Sequence, residues 1–113
     1  MNMNYFKESQ FAVTVCNAEG IIIYMNDKSI ATFQKDGGSD LIGTSLLDCH
    51  PEPARSMIEK MMVSHEENSY TIEKNGLKKL IHQTPWFENG EFKGYIELSI
   101  VIPMEMRHFV RKG

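Results

Sequence analysis

The sequence is poor in the features that mark specialised protein classes. It holds two cysteines, Cys16 and Cys49, among 113 residues, and neither belongs to a CxxC pair. That is too few for a secreted disulfide scaffold and the wrong spacing for a redox or zinc motif, so both are expected to be reduced thiols in or near the core. His65, His82 and His108 are scattered. Cys49 and His50 are adjacent, and neighbours in sequence point apart, so they suit neither a shared metal ion nor a nucleophile–base dyad. No metal site and no catalytic site are expected. The longest apolar run, Ile21 to Met25, is five residues, against the roughly 20 that span a bilayer. Residues 1–10 carry no apolar stretch of signal-peptide length, which predicts a cytoplasmic location and no membrane partner. Basic excess is also missing: 12 Lys and Arg stand against 15 Asp and Glu, a net charge of −3. That is the wrong sign for a dedicated nucleic-acid binder.

What is present is an ordinary globular mixture, 42% hydrophobic and 24% charged, with no repeat, low-complexity tract or linker to divide it. A chain this size buries somewhat over ~60% of the surface it exposes when unfolded, enough for one cooperative core without staples. Eight methionines point to an adaptable interior or a contact surface.

Phe11 to Cys16 alternates in the manner of a strand, and Ile21 to Met25 is a β-branched apolar run. Between them Asn17-Ala18-Glu19-Gly20 is turn chemistry, predicting a hairpin. Asn26 and Asp27 can cap a short helix over Lys28 to Phe33, because their side-chain oxygens accept from its first free amides. The Asp36-Gly37-Gly38-Ser39 cluster ends it. Thr44 or Ser45 can start one helical turn before Cys49. His50-Pro51-Glu52-Pro53 then opens the one strongly periodic helix, with both prolines in its first turn. Ala54, Met57, Ile58, Met61 and Met62 recur at helical spacing with His65 continuing the stripe, while Arg55, Ser56, Glu59 and Lys60 face away. Three strands follow: Ser69 to Lys74, Leu77 to Trp86 and Gly94 to Ile102. Asn75-Gly76 between the first two is a strong hairpin signal, since a type I′ turn needs positive φ at both central residues. In the last strand Ile96, Leu98 and Ile100 share one face, taken as core, and Glu97 and Ser99 the other, taken as partly wet.

The expected fold class is α+β: a five-stranded antiparallel sheet with short helices and one longer amphipathic helix on one face. Residues 1–10 are expected to form an N-terminal cap, 11–102 the domain and 103–113 a tail.

The order and spacing of several pieces resemble a PAS domain across nearly the whole chain. These are Glu19-Gly20-Ile21-Ile22, Asn26 after the second strand, Leu41-Ile42-Gly43 followed by Ser45-Leu46-Leu47-Asp48, Gln83-Thr84-Pro85-Trp86, the turn around Asn89-Gly90, and Gly94-Tyr95-Ile96. Short free-standing bacterial PAS proteins carrying the strings LLDCHP, YTIEKNG and IHQTPW look most similar. The resemblance implies a PAS fold and, more loosely, a bacterial signalling role, because such domains bind haem, flavin, small acids or nothing. The Asn-Cys-Arg-Phe-Leu-Gln string of the flavin photosensors is missing, so flavin is not expected. Cys49 lies near the thioester cysteine of the chromophore photoreceptors, but the Tyr and Glu that would hold a phenolate have no counterparts in Lys28 to Asp36. Matching Pro51-Glu52-Pro53 to the lead-in of the oxygen-sensing haem kinases puts Ile58, which cannot bind iron, at the ligand position. His65 lies about two turns later and His50 precedes the helix, so haem is disfavoured.

The candidate ligand-binding residues are Ile22, Tyr24, Ile30, Phe33, Leu47, Ile58, Met61, Met62, Tyr70, Leu80, His82, Thr84 and Leu98. Together they would line a cavity between sheet and helices around an unknown small molecule. His82 shares a strand face with Leu80, Thr84 and Trp86 and has the chemistry to bond a ligand, whereas Ile81 argues that the opposite face points inward. Tyr70 either supplies a phenol to the same space or packs across the hairpin. Lys74, Lys78 and Lys79 read as a solvated face that discourages strand pairing.

A non-enzymatic sensor or adaptor is expected, signalling in trans to a protein partner because no output domain follows Pro103 before Gly113, and forming a homodimer. A ligand-free PAS dimerisation module is the alternative. A small cone-fold enzyme using Asp48, His82 or Tyr70 is less favoured, because Asp48 reads as a cap or loop residue. Arg107, His108, Arg111 and Lys112 around Phe109 and Val110 form a tail that either docks on an acidic partner or frays.

Overall fold

Alternation, turn chemistry and capping act along the chain in the order the sequence predicts. In a computed structural model, residues 4–113 are described; Met1, Asn2 and Met3 of the expected N-terminal cap lie outside them. β1 (Ala12–Asn17) and β2 (Ile22–Met25) form the first hairpin. Its turn is closed by the Asn17 side chain, whose Oδ1 accepts from the amides of Glu19 and Ile21 at 3.0 Å each. β3 (Asn68–Lys74), β4 (Leu77–Glu88) and β5 (Glu91–Ile102) complete a single antiparallel sheet in the order β2-β1-β5-β4-β3. Asn75 and Gly76 both adopt positive φ, 53° and 77°, as a type I′ turn requires. Asn89 and Gly90 repeat this at 53° and 78°. β4 and β5 therefore run two and three residues further toward their shared turn than the sequence predicts, past a bulge at Trp86/Phe87.

The helical pieces are α1 (Asn4–Lys7), α2 (Asp27–Thr32), two 3₁₀ turns at Gln34–Asp36 and Gly38–Leu41, α3 (Leu46–Cys49) and α4 (Ala54–Ser64). Asn26 is the hub of the first of them and is 1% exposed. Its Oδ1 accepts from the Ser29 amide at 3.0 Å, capping α2, and from the Val13 amide at 2.9 Å. Its Nδ2 lies within bonding distance of the Phe6 and Phe11 carbonyls and Ser9 Oγ, so the same side chain ties α1 to β1. Lys7 adds an exposed ion pair to Asp27 at 3.2 Å. Ser45, rather than Thr44, caps α3 by accepting from the Leu47 amide. The α3 approach is clipped to the edge of β2 by the pairs Ile22 N to Thr44 O, Gly43 N to Ile22 O and Leu46 N to Gly20 O.

α4 departs from its expected form. It starts at Ala54, so both prolines precede it, and Glu52 holds its first turn by accepting from the amide and hydroxyl of Ser56 at 2.9 and 2.8 Å. Those donors favour the charged carboxylate and hold Glu52 below its usual range. Only Ala54, Ile58, Met61 and Met62 are partly covered, whereas Met57 is 57% exposed. His65 does not continue the stripe: it takes the left-handed conformation that ends the helix and stacks on Phe92 at 3.8 Å.

The faces of the sheet are the reverse of the simple reading. The register aligns Thr14 with Glu97, Glu97 with Gln83 and Gln83 with Asn68, and that polar row faces the helices. Val13, Leu98, His82 and Ser69 form the neighbouring row, so Ile96, Leu98 and Ile100 point away from the helix layer. No described helix is long and apolar enough to cross a membrane.

Candidate functional site

The helix layer is made of short segments and does not fill the space above the sheet. A cavity of about 320 Å³ remains. Its floor is Thr14 and Cys16 of β1, Ile22 and Met25 of β2, and Tyr95 and Glu97 of β5. Its walls are Phe33, Asp36 and Leu41 on one side and Leu46, Cys49 and His50 on the other. The volume is at the small end of ligand sites, whose range begins at roughly 300 Å³. A second hollow of about 50 Å³ lies under α4, lined by Leu46, Ile58, Met61, Met62, Gln83 and Tyr95.

Several contacts fix these side chains. The Thr14 and Ser29 hydroxyls bond each other at 2.5 Å, joining β1 to α2. Gln83 Nε2 donates to Glu97 Oε2 at 2.7 Å, and Asn68 Nδ2 donates to Gln83 Oε1 at 3.0 Å. The Tyr95 hydroxyl lies 2.7 Å from the Met61 carbonyl and 2.9 Å from that of Glu66, sharing its proton between the two and clamping the end of α4 to the sheet. Burial and the nearby Glu66 carboxylate hold this phenol above its ordinary value. His50 donates from Nδ1 to the Leu46 carbonyl at 2.7 Å, since a carbonyl only accepts; its neutral tautomer therefore has Nε2 as acceptor. Cys16 is 3% exposed, and burial first, with the Glu97 carboxylate adding, pushes its thiol upward. It is a protonated floor group rather than a nucleophile. Cys49 is exposed, 4.0 Å from the Thr44 hydroxyl. Among the described residues no three His, Cys, Asp or Glu side chains gather as a metal site.

The structure divides the sequence candidates. Ile22 and Phe33 line the larger cavity, and Ile58, Met61 and Met62 the smaller hollow. Tyr70 is on the helix side of the sheet, paired with Ile81, but lines neither space; burial and Glu97 raise its phenol. Ile30 and Leu47 are half-buried and line neither space. Tyr24, Leu80, His82, Thr84 and Leu98 lie on the opposite face, because each is one residue out of phase with the cavity row. There His82 bonds Ser69 Oγ at 2.6 Å through Nδ1 and approaches Glu67 at 3.3 Å through Nε2. These are the residue types of a nucleophilic triad, but the Glu67 side chain is 65% exposed and neither cavity reaches the group, so no water-excluded site holds a substrate there. Asp48 is exposed in the first turn of α3, a capping position.

Of the larger cavity's lining, sequence reading missed Thr14, Cys16, Met25, Asp36, Leu41, Leu46, Cys49, His50, Tyr95 and Glu97. The available signal was register: counting back from the Asn75-Gly76 turn places Gln83 opposite Asn68, a polar pair in mid-sheet.

Trp86 has a further role. It stands on β4, yet its indole Nε1 donates to the Cys16 carbonyl of β1 at 3.1 Å, so the ring spans the intervening strand β5. It crosses where β5 carries Gly94, the cross-strand partner of Trp86.

No known protein family and no curated protein matches the sequence. Solved structures do match in fold. A C-terminal domain from Streptococcus mutans is 16% identical with a TM-score of 0.71, covering 87% of this chain and 80% of that one. The PAS domain of Bordetella pertussis BvgS is 21% identical with a TM-score of 0.65, covering 88% and 82%. A Vibrio cholerae receptor described as a dual PAS-heme oxygen sensor is 18% identical with a TM-score of 0.60, covering 83% and 96%. The latter two matches are to PAS structures, and with its five-stranded antiparallel sheet in the order β2-β1-β5-β4-β3 the chain has the PAS fold.

Proposed function

We propose that this chain is a non-enzymatic sensor that binds a small molecule between its sheet and its short helices and reports occupancy through a protein interface. The observation that carries this reading is the cavity of about 320 Å³, whose largely apolar lining carries a few fixed polar groups. Its walls come from short 3₁₀ and helical pieces, so filling it bears directly on Phe33, Leu41 and Leu46. Tyr95 links the same floor to α4, so a shift at the cavity reaches the longest helix.

The output surface in this reading is the opposite face of the sheet. Glu97 on the cavity side and Ile96 and Leu98 on the far side are consecutive residues of β5, so one strand serves both. A homodimer through that apolar face, or a separate signalling protein docked on it, would carry the signal in trans from a cytoplasmic domain. Haem fits the lining poorly. His50 offers Nε2 at the wall, but no lysine or arginine lines the cavity to meet the propionates, and two carboxylates do.

Native mass spectrometry of the gently purified protein tests the reading. An adduct of a few hundred daltons on a monomer or dimer supports the sensor. A clean apo dimer that gains no ligand on exposure to cell extract favours the ligand-free interaction module, the reading that the half-covered apolar row Ile96, Leu98, Ile100 and Leu80 supports.

A further inference from the structure

The charge of the cavity is unbalanced. Its lining includes two carboxylates, Glu97 and the exposed Asp36, and no lysine or arginine. Glu97 takes part in none of the ion pairs among the described residues. Its one hydrogen bond there is from Gln83 to Oε2, which leaves Oε1 without a protein donor among those residues. The bond is a positioned one: Asn68 donates to Gln83 Oε1 and thereby turns Nε2 toward Glu97, and the three residues are successive cross-strand partners. Amide donors orient a carboxylate but do not neutralise it. Its charge is felt nearby, adding to burial in raising the Cys16 thiol and the Tyr70 phenol.

A fixed, half-buried carboxylate without a counter-ion favours a cation and repels an anion. Around it Phe33 and Tyr95 offer aromatic rings, and Ile22, Met25 and Leu46 an apolar surface. Aromatic faces add to the attraction for a desolvated cation. At about 30 Å³ per water, the space holds about ten waters or a ligand of about ten heavy atoms.

Resting on the reading of the cavity as a ligand site, we propose that it selects small organic ammonium ions, an apolar or aromatic body carrying one protonated amine that bonds Glu97 Oε1, and turns away carboxylates and phosphates. Asp36 at the wall adds to the same preference, and Gln83 and Asn68 are positioning residues.

Three probes of nearly one shape and different charge test this: benzylammonium, benzyl alcohol and benzoate, each titrated into the ¹⁵N-labelled native chain and followed by amide shifts of the cavity residues. Benzylammonium is expected to bind at least about tenfold tighter than benzyl alcohol, the scale of a hydrogen bond between charged groups, with benzoate weakest. In Glu97→Gln, which keeps an acceptor for Gln83, the two neutral and cationic affinities should converge to within about threefold. Benzoate binding as tightly as benzylammonium overturns the proposal while leaving the cavity a ligand site. An undiminished ammonium preference in folded Glu97→Gln also overturns it. Silence of the cavity amides toward all three probes overturns the ligand-site reading itself. If Glu97→Gln does not fold, the charge series on the native chain still decides.

Discussion

Gly94→Ala should be among the most damaging single substitutions in this protein, although it adds one methyl group. Gly94 has φ 145°, a region that only glycine enters freely, and it sits in the middle of the sheet between Asn17 of β1 and Trp86 of β4. A Cβ there would overlap the Cys16 carbonyl oxygen and lie 2.8 Å from the carbonyl carbons of Cys16 and Asn17. All three are backbone atoms of a paired strand, so no rotamer change relieves the contact. The conformation alone costs about 1–3 kcal/mol. Forcing β1 away from β5 adds about 1–3 kcal/mol as overpacking, and the sum is about 2–6 kcal/mol. Gly20→Ala is the control: it also has positive φ, 79°, but nothing lies within 4 Å of its added Cβ, so about 1 kcal/mol is expected. Against a total stability of about 5–15 kcal/mol, the first variant should approach unfolding and the second should not. Urea titration followed by circular dichroism measures both. With a slope of about 1–3 kcal/mol per molar, Gly94→Ala should lower the midpoint by about 2 M. A difference between the two variants under about 1 kcal/mol would refute the close approach of β1 and β5 as the reason for the glycine.

Four further outcomes are expected. Tyr95→Phe should lose about 1–2 kcal/mol and speed amide exchange in residues 61–66, since the phenol clamps the end of α4; unchanged exchange there would remove the clamp. Asn26→Ala should cost about 2–4 kcal/mol, because the buried Val13 and Ser29 amides lose their acceptor. Asn26→Asp keeps that acceptor but sets a charge against the Phe6 and Phe11 carbonyls, so it should be weak at neutral pH and recover as the carboxyl protonates; equal urea midpoints at pH 7 and 4 would contradict this. Finally, Cys16, Tyr70 and Tyr95 all have raised pKa values, so the folded state holds these protons more tightly than the unfolded chain. Their contribution is complete below the ordinary values of 9.0 and 10.0 and is lost as pH rises through the folded ones. Urea midpoints should therefore fall progressively above pH 9, and a flat profile to pH 11 would count against it.

The turns and caps were legible because their chemistry is local. Asn75-Gly76 needs positive φ wherever it stands, and Asn26 caps whatever helix follows it. The four-residue helix α1 was not, since one turn has no periodicity to read. The strands were legible but their orientation was not. Alternation separates Ile96, Leu98 and Ile100 from Tyr95, Glu97 and Ser99, yet it says nothing about which set the helices cover. The usual rule assigns the apolar set to the helix side, and it fails here because the short helices enclose a cavity with a partly polar floor. That one inversion carried Leu80, His82, Thr84 and Leu98 to the wrong side together, whereas Tyr24 parts from Ile22 of the same strand at the β1–β2 register shift, and Phe33, judged from a helix, fell at the cavity.

The chain has one tryptophan, and its ring spans β5 to rest on the carbonyl of Cys16, the residue whose thiol forms part of the cavity floor. Its emission therefore originates at a single known position within one bond of the candidate site. Occupancy, strand separation and unfolding should each alter the wavelength or yield of that one emitter, so binding can be titrated in unlabelled protein with a fluorimeter, and a spectral change has only one residue to be assigned to.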